Sequence, residues 1–94
     1  MVQPEVRLAA VVACKNGLHA RPAIQLAETA QRFASTIQIV KDDTAVDGKS
    51  VLQLMTLFAK SGTSLMVIAR GADANDAALA IAEIIETEET TTDP

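Results

Sequence analysis

An α+β two-layer sandwich with the order βαββαβα is the fold this sequence predicts. Three observations predict it. Apolar residues switch repeatedly between the two-residue period of a strand and the three-to-four-residue period of a helix. The two middle strand segments, Ile37 to about Asp47, are separated only by Asp42-Asp43 and form a hairpin, which argues against an all-parallel sheet. A chain of 94 residues holds one compact domain, expected over residues 1–87, with a tail at 88–94.

The elements follow in order. From Glu5 to Val12, the residues Val6, Leu8, Ala10 and Val12 alternate with Arg7, Ala9 and Val11, which predicts a strand. Lys15-Asn16-Gly17 is a loop signal. From Ala20 the period becomes helical: Ala23, Leu26, Ala27, Ala30 and Phe33 share a face, with Gln25, Glu28 and Arg32 outside. Pro22 falls in the first turn, where its missing N–H removes no helical bond.

Thr36 to Lys41 is a second strand, Asp42-Asp43 a turn, and Thr44 to Asp47 a short third strand ended by Gly48. Ser50 reads as the N-cap of a short helix from Val51 to about Ala59, closed by Ser61-Gly62. Leu65 to Arg70 is a fourth strand, ended by Gly71. Asp73 or Asn75 caps a last helix to about Glu86, with Ala77, Ala78, Ile81, Ile84 and Ile85 inward. Residues 88–94 are acidic, Thr-rich and aperiodic, and read as a frayed or disordered tail. Helices cover one face of the sheet and water the other.

Composition narrows the function. Apolar residues make up 49% of the chain but aromatics only 2%, so the core is aliphatic. A net charge of −4 and the lack of a basic stripe argue against nucleic-acid binding. The single cysteine, Cys14, allows no internal disulfide and fits a reducing compartment. The first residues lack the layout of a signal peptide, and the longest apolar runs, Leu8 to Cys14 and Leu65 to Ala69, are too short for a bilayer. A soluble, cytoplasmic, monomeric protein without membrane insertion is expected.

His19, the only histidine, lies where the first loop becomes a helix. Neutral imidazole is a nucleophile near physiological pH, and a helix start is an anion site. The backbone N–H groups of Ala20, Arg21 and Ala23 lie near that start. Arg21 adds a permanent cation with forked donors that match phosphate oxygens, and Asn16-Gly17 lets the backbone fold round the ring. Such a histidine can accept a phosphoryl group, hold it and release it. From spacing alone a plain surface helix cap remains an equal reading. One histidine without a second nitrogen or sulfur ligand makes no specific zinc site, and no cofactor is implied. A Cys14–His19 nucleophilic pair lacks a third orienting group, which favours Cys14 as a small semi-buried residue.

A second loop-to-helix corner lies at Lys49-Ser50. Val51, Leu54, Met55 and Phe58 recur at helical spacing, while Leu52 lies off that stripe. Leu54 and Leu57 are expected in the core and Leu52 on the surface. Met55 is adaptable enough to meet several partners. A phosphate on Ser50 would sit favourably on a helix N-terminus, and its charge would oppose an acidic partner.

Asn16-Gly17-Leu18-His19-Ala20-Arg21-Pro22-Ala23 resembles the active-site signature of the HPr family, the histidine phosphocarriers of the bacterial sugar phosphotransferase system. Lys49-Ser50 and the run Val51 to Leu57 resemble its second signature, at the right separation. The resemblance covers about residues 4 to 87. It implies a four-stranded antiparallel sheet with three helices on one face. It also implies that the δ1 nitrogen of His19 takes a phosphoryl group from phosphorylated enzyme I, ultimately from phosphoenolpyruvate. His19 would then pass it to the IIA domain of a sugar permease. By the same resemblance Arg21 stabilises the phosphoryl group and Asn16 lies near the ring. Ser50 matches the serine that an ATP-dependent HPr kinase/phosphorylase modifies in many bacteria. Ala20, Val51, Leu52 and Met55 match the apolar docking surface. The chain would then be a substrate of other enzymes rather than an enzyme. Two departures stand out: Phe58 replaces a residue that is commonly small, often glycine, and the acidic tail is longer than usual. A regulatory paralogue, and a binding module with an idle histidine, are the rival readings.

Overall fold

The computed structural model describes residues 4–88, and the tail from residue 89 on lies outside them. Four strands form: β1 (Glu5–Val11), β2 (Thr36–Lys41), β3 (Thr44–Asp47) and β4 (Ser64–Arg70). Three helices join them: α1 (Ala20–Ala30), α2 (Val51–Met55) and α3 (Ala74–Glu86). The chain order is βαββαβα, and the sheet order is β1-β4-β2-β3 with every neighbouring pair antiparallel.

The period-two pattern decides which face is covered. Leu8 pairs with Val67, Val67 with Ile39, and Ile39 with Val46, so these residues form one row across the inner face. Val67 and Ile39 in that row are fully buried. The three helices cover this face. α3 lies over β1 and β4 and packs on α1, and α2 packs on α1 and β3. Leu26, Leu54, Ile81 and Ile85 fill the layer between. The opposite face carries Glu5, Arg7, Gln38, Asp47 and Arg70, all exposed. Among the described residues no helix is long and apolar enough to cross a membrane.

The inward face expected of α1 is the buried one: Ala23, Leu26, Ala27 and Ala30 are inside and Gln25, Glu28 and Arg32 outside. Phe33, just beyond the helix, and Ile84 on α3 are only half-buried and pack against the core edge. The β2–β3 turn is the expected two-residue loop. Its first residue, Asp42, has φ 53°, a sign that tight hairpins demand and that aspartate tolerates.

Two expectations need correction. The helix expected from Val51 to about Ala59 ends at Met55, because Phe58 turns to φ 49° and stops it. Ser61-Gly62 therefore does not close that helix. It forms the turn into β4, with the Gly62 N–H donating to the Val12 carbonyl at 2.8 Å. Asp73 does occupy the N-cap position of α3, but its side chain does not cap, and Asn75 lies inside the helix. The Asp73 carboxylate turns back to accept the N–H groups of Ala34 and Ser35, both at 2.9 Å, and the Ser35 hydroxyl. The loop between α1 and β2 is thereby fastened to the corner between β4 and α3.

Candidate functional site

His19 is held by a loop with little freedom. The Gly17 N–H donates to the Cys14 carbonyl at 2.9 Å, which closes a turn over Lys15 and Asn16. Gly17 has φ 75°, and a Cβ there would stand 2.5 Å from the Ala59 carbonyl oxygen, so glycine is needed for both conformation and space. The Leu18 N–H donates to that same carbonyl at 2.8 Å, and the Leu18 side chain is buried. His19 follows as the N-cap of α1, in extended conformation.

The ring makes no cap bond to the helix start. The His19 carbonyl instead accepts the Ala23 N–H at 2.9 Å, the first bond of the helix. Ala23 is therefore removed from the expected anion donors, and Pro22 has no N–H. The N–H groups of Ala20 and Arg21 lie in the first turn, at the positive end of an eleven-residue helix dipole. Ala20 and Arg21 are exposed and His19 is half-buried.

His19 opens into a cleft of about 310 Å³ lined by Asn16, Leu18, His19, Met55, Phe58, Ala59 and Lys60. The cleft thus brings together Asn16, His19 and Met55 from the sequence-derived set. Leu18, Phe58, Ala59 and Lys60 were not singled out for this role. Only the glycine before Leu18 hinted at a close backbone approach, since a contact between distant loops leaves no local pattern. Cys14 is buried, and its thiol donates to the Thr87 carbonyl at 3.7 Å, which fits a packing residue at the exit of α3.

The second corner is equally braced. Ser50 caps α2: its hydroxyl accepts the Gln53 N–H at 3.2 Å, and its carbonyl accepts the Leu54 N–H at 3.0 Å. The Gln53 side chain accepts the Asp47 N–H at 2.9 Å. Lys49 reaches back to the end of α1, with its Nζ donating to the Phe33 carbonyl at 2.8 Å. Leu54 and Leu57 are in the core as expected, and Leu52 is 80% exposed. Met55 is 39% exposed. Val51, expected in the docking surface, is half-buried against the core because it starts the helix on its inner edge. Ser50, Val51 and Leu52 do not line the cleft.

The fold and the site together define a class: a small open-faced sandwich with one histidine at a helix start, beside a second, exposed apolar helix. Residues 6–87 match the family described as "PTS HPr component phosphorylation site". The chain is 41% identical over 81 residues to the phosphocarrier protein HPr of Borreliella burgdorferi, covering 86% of this chain and 94% of that one. It is 38% identical over 88 residues to the HPr-like protein Crh of Bacillus subtilis, covering 94% of this chain and 99% of that one. The solved structure of HPr from Bacillus anthracis shares the fold with a TM-score of 0.84 at 35% identity, covering 87% of this chain and 98% of that one. The chain belongs to the HPr phosphocarrier family.

Proposed function

We propose that His19 accepts a phosphoryl group on Nδ1 from phosphorylated enzyme I and delivers it to the IIA domain of a sugar permease. The observation that carries this reading is the placement of His19 at the N-cap of α1, where it lines an open cleft. Transfer breaks the N–P bond on the donor histidine as the bond to His19 forms, so no metal or redox partner is required. The Ala20 and Arg21 N–H groups and the helix dipole stabilise the transferred oxygens, and the Arg21 guanidinium adds a forked cation. Asn16 lines the same cleft as His19.

Ala20, Leu52 and Met55, with Val51 at the edge, form the docking surface. The chain acts in the cytoplasm as a monomer and is a substrate of its partner enzymes. A regulatory reading is favoured by the likeness to an HPr-like Crh protein and by Ser50, whose hydroxyl stands at the start of α2. Phosphorylation there by an HPr kinase/phosphorylase would place negative charge beside the docking surface and slow transfer from enzyme I.

The test is a relay assay with enzyme I, labelled phosphoenolpyruvate and purified IIA domains. The carrier reading expects acid-labile label on this chain that moves on to a sugar-type IIA domain. Label that stays on the chain, or moves only to a nitrogen-type IIA domain, would favour the regulatory reading.

A further inference from the structure

The close approach at Gly17 delivers a charged residue beside His19. A Cβ on Gly17 would stand 3.1 Å from the Lys60 Cα, and the His19 N–H donates to the Gly17 carbonyl at 2.9 Å. The backbone at Lys60 is held on both sides. The Ala59 carbonyl accepts the Leu18 N–H at 2.8 Å, and the Lys60 carbonyl accepts the Thr63 N–H at 2.9 Å. Lys60 is exposed and lines the His19 cleft. A lysine stem of four methylenes spans about 6 Å, enough to bring the ammonium from that position to a group carried on the His19 ring.

Two other lysines are already committed. Lys41 Nζ donates to the Leu57 carbonyl at 2.9 Å, and Lys49 Nζ to the Phe33 carbonyl at 2.8 Å. Among the described residues no such bond engages the Lys60 ammonium. The cleft wall creates a use for it. Leu18, Met55, Phe58 and Ala59 are apolar, and Asn16 is neutral. A phosphoryl group near neutral pH carries a charge of about −2. Against an apolar wall it loses water that the wall does not replace. The start of α1 and Arg21 offset that charge from the helix. From the cleft, among the described residues, Lys60 is the one lysine or arginine, and no carboxylate lines the cleft to compete for it.

We propose that Lys60 is a second phosphate-binding residue, whose ammonium pairs with the oxygens of the phosphoryl group on His19 from the cleft side. It moves no proton. It pairs with those oxygens as the N–P bond on the donor histidine breaks and the bond to His19 forms, and it returns to water when the group leaves. Its effect is to favour residence of the group on this chain. The proposal rests on the carrier reading of His19 and deepens it.

The test compares the wild type with Lys60→Met, which keeps most of the stem and loses the charge, and Lys60→Arg, which restores a cation. Two quantities are read: the equilibrium constant for phosphoryl exchange with enzyme I, and the pH midpoint of the phosphoryl group in a phosphorus NMR titration of the phosphorylated chain. Lys60→Met should lower the equilibrium constant about fivefold and raise the midpoint, because the dianion has lost a cation. Lys60→Arg should restore both, and thermal melts should be unchanged because Lys60 is exposed. A Lys60→Met variant with the wild-type constant and midpoint overturns the proposal. So does one that lowers the constant without moving the midpoint, since loss of packing would do that. The two readings fail separately. A wild type that is labelled on His19, with Lys60→Met unchanged, removes the role of Lys60 alone. A wild type that takes no label while a known HPr does removes the carrier reading and the role of Lys60 with it.

Discussion

The Leu18 N–H and the Ala59 carbonyl, 41 residues apart in sequence, meet at 2.8 Å and tie the His19 loop to the segment that follows α2. The His19 corner and the segment after α2 are therefore one mechanical unit, and Gly17 is what lets them approach.

Gly17→Ala should break that unit. The new methyl meets the Ala59 carbonyl, and alanine resists φ 75°. Denaturant unfolding should show a loss of about 2 kcal/mol or more. Phosphoryl acceptance from enzyme I should fall in the molecules that remain folded, because the His19 loop has moved.

Arg21→Lys keeps the charge and loses the fork. Stopped-flow transfer from phosphorylated enzyme I should slow about tenfold, with the melting temperature unchanged, because Arg21 is exposed. A wild-type rate would mean that a point charge suffices and that the bidentate role is wrong.

Ser50→Ala removes the α2 cap bond to Gln53 and should cost about 1 kcal/mol of stability, read by urea unfolding. Ser50→Asp keeps a capping oxygen and should leave stability near wild type. Its negative charge should still slow transfer from enzyme I, and an unchanged rate would remove the proposed switch.

Asp73 should give the fold an acid-sensitive fastening. The Ser35 hydroxyl, then the Ala34 N–H, hold its carboxyl below the usual aspartate value. The unfolded chain thus takes up this proton at higher pH than the folded one. The stabilisation is complete above about pH 4 and is lost as pH falls through the lower folded value. Glu5, lowered by Arg70 and then Arg7, acts in the same direction. Thermal melts from pH 6 to pH 2 should show Asp73→Asn less stable than wild type at pH 6, with the gap closing toward pH 2. A constant gap would mean that the carboxylate charge plays no part.

Most of the architecture was legible because burial and periodicity coincide. Leu8, Ala10, Ile37, Ile39, Leu65 and Val67 alternate in sequence and line one covered face in space. Ser50 was legible as a cap because its bond is local, spanning three residues. Asp73 was legible as the N-cap position, but the bonds of its side chain were not, because their partners, Ala34 and Ser35, are nearly forty residues away and leave no mark near position 73. The early end of α2 was missed for a related reason. A left-handed residue is expected to be glycine, and here it is Phe58, which reads as one more apolar position of a helix. The His19 motif was plain in sequence, but the cleft beside it was not, since Ala59 and Lys60 reach it only through the Gly17 approach.

The most direct test of the account is NMR of the His19 ring in nitrogen-15-labelled protein during phosphorylation by enzyme I and phosphoenolpyruvate. The account predicts phosphorus coupling at Nδ1 of His19, lost on acid treatment and absent from His19→Ala. A ring that stays unmodified while enzyme I is phosphorylated and active on a known HPr would contradict it.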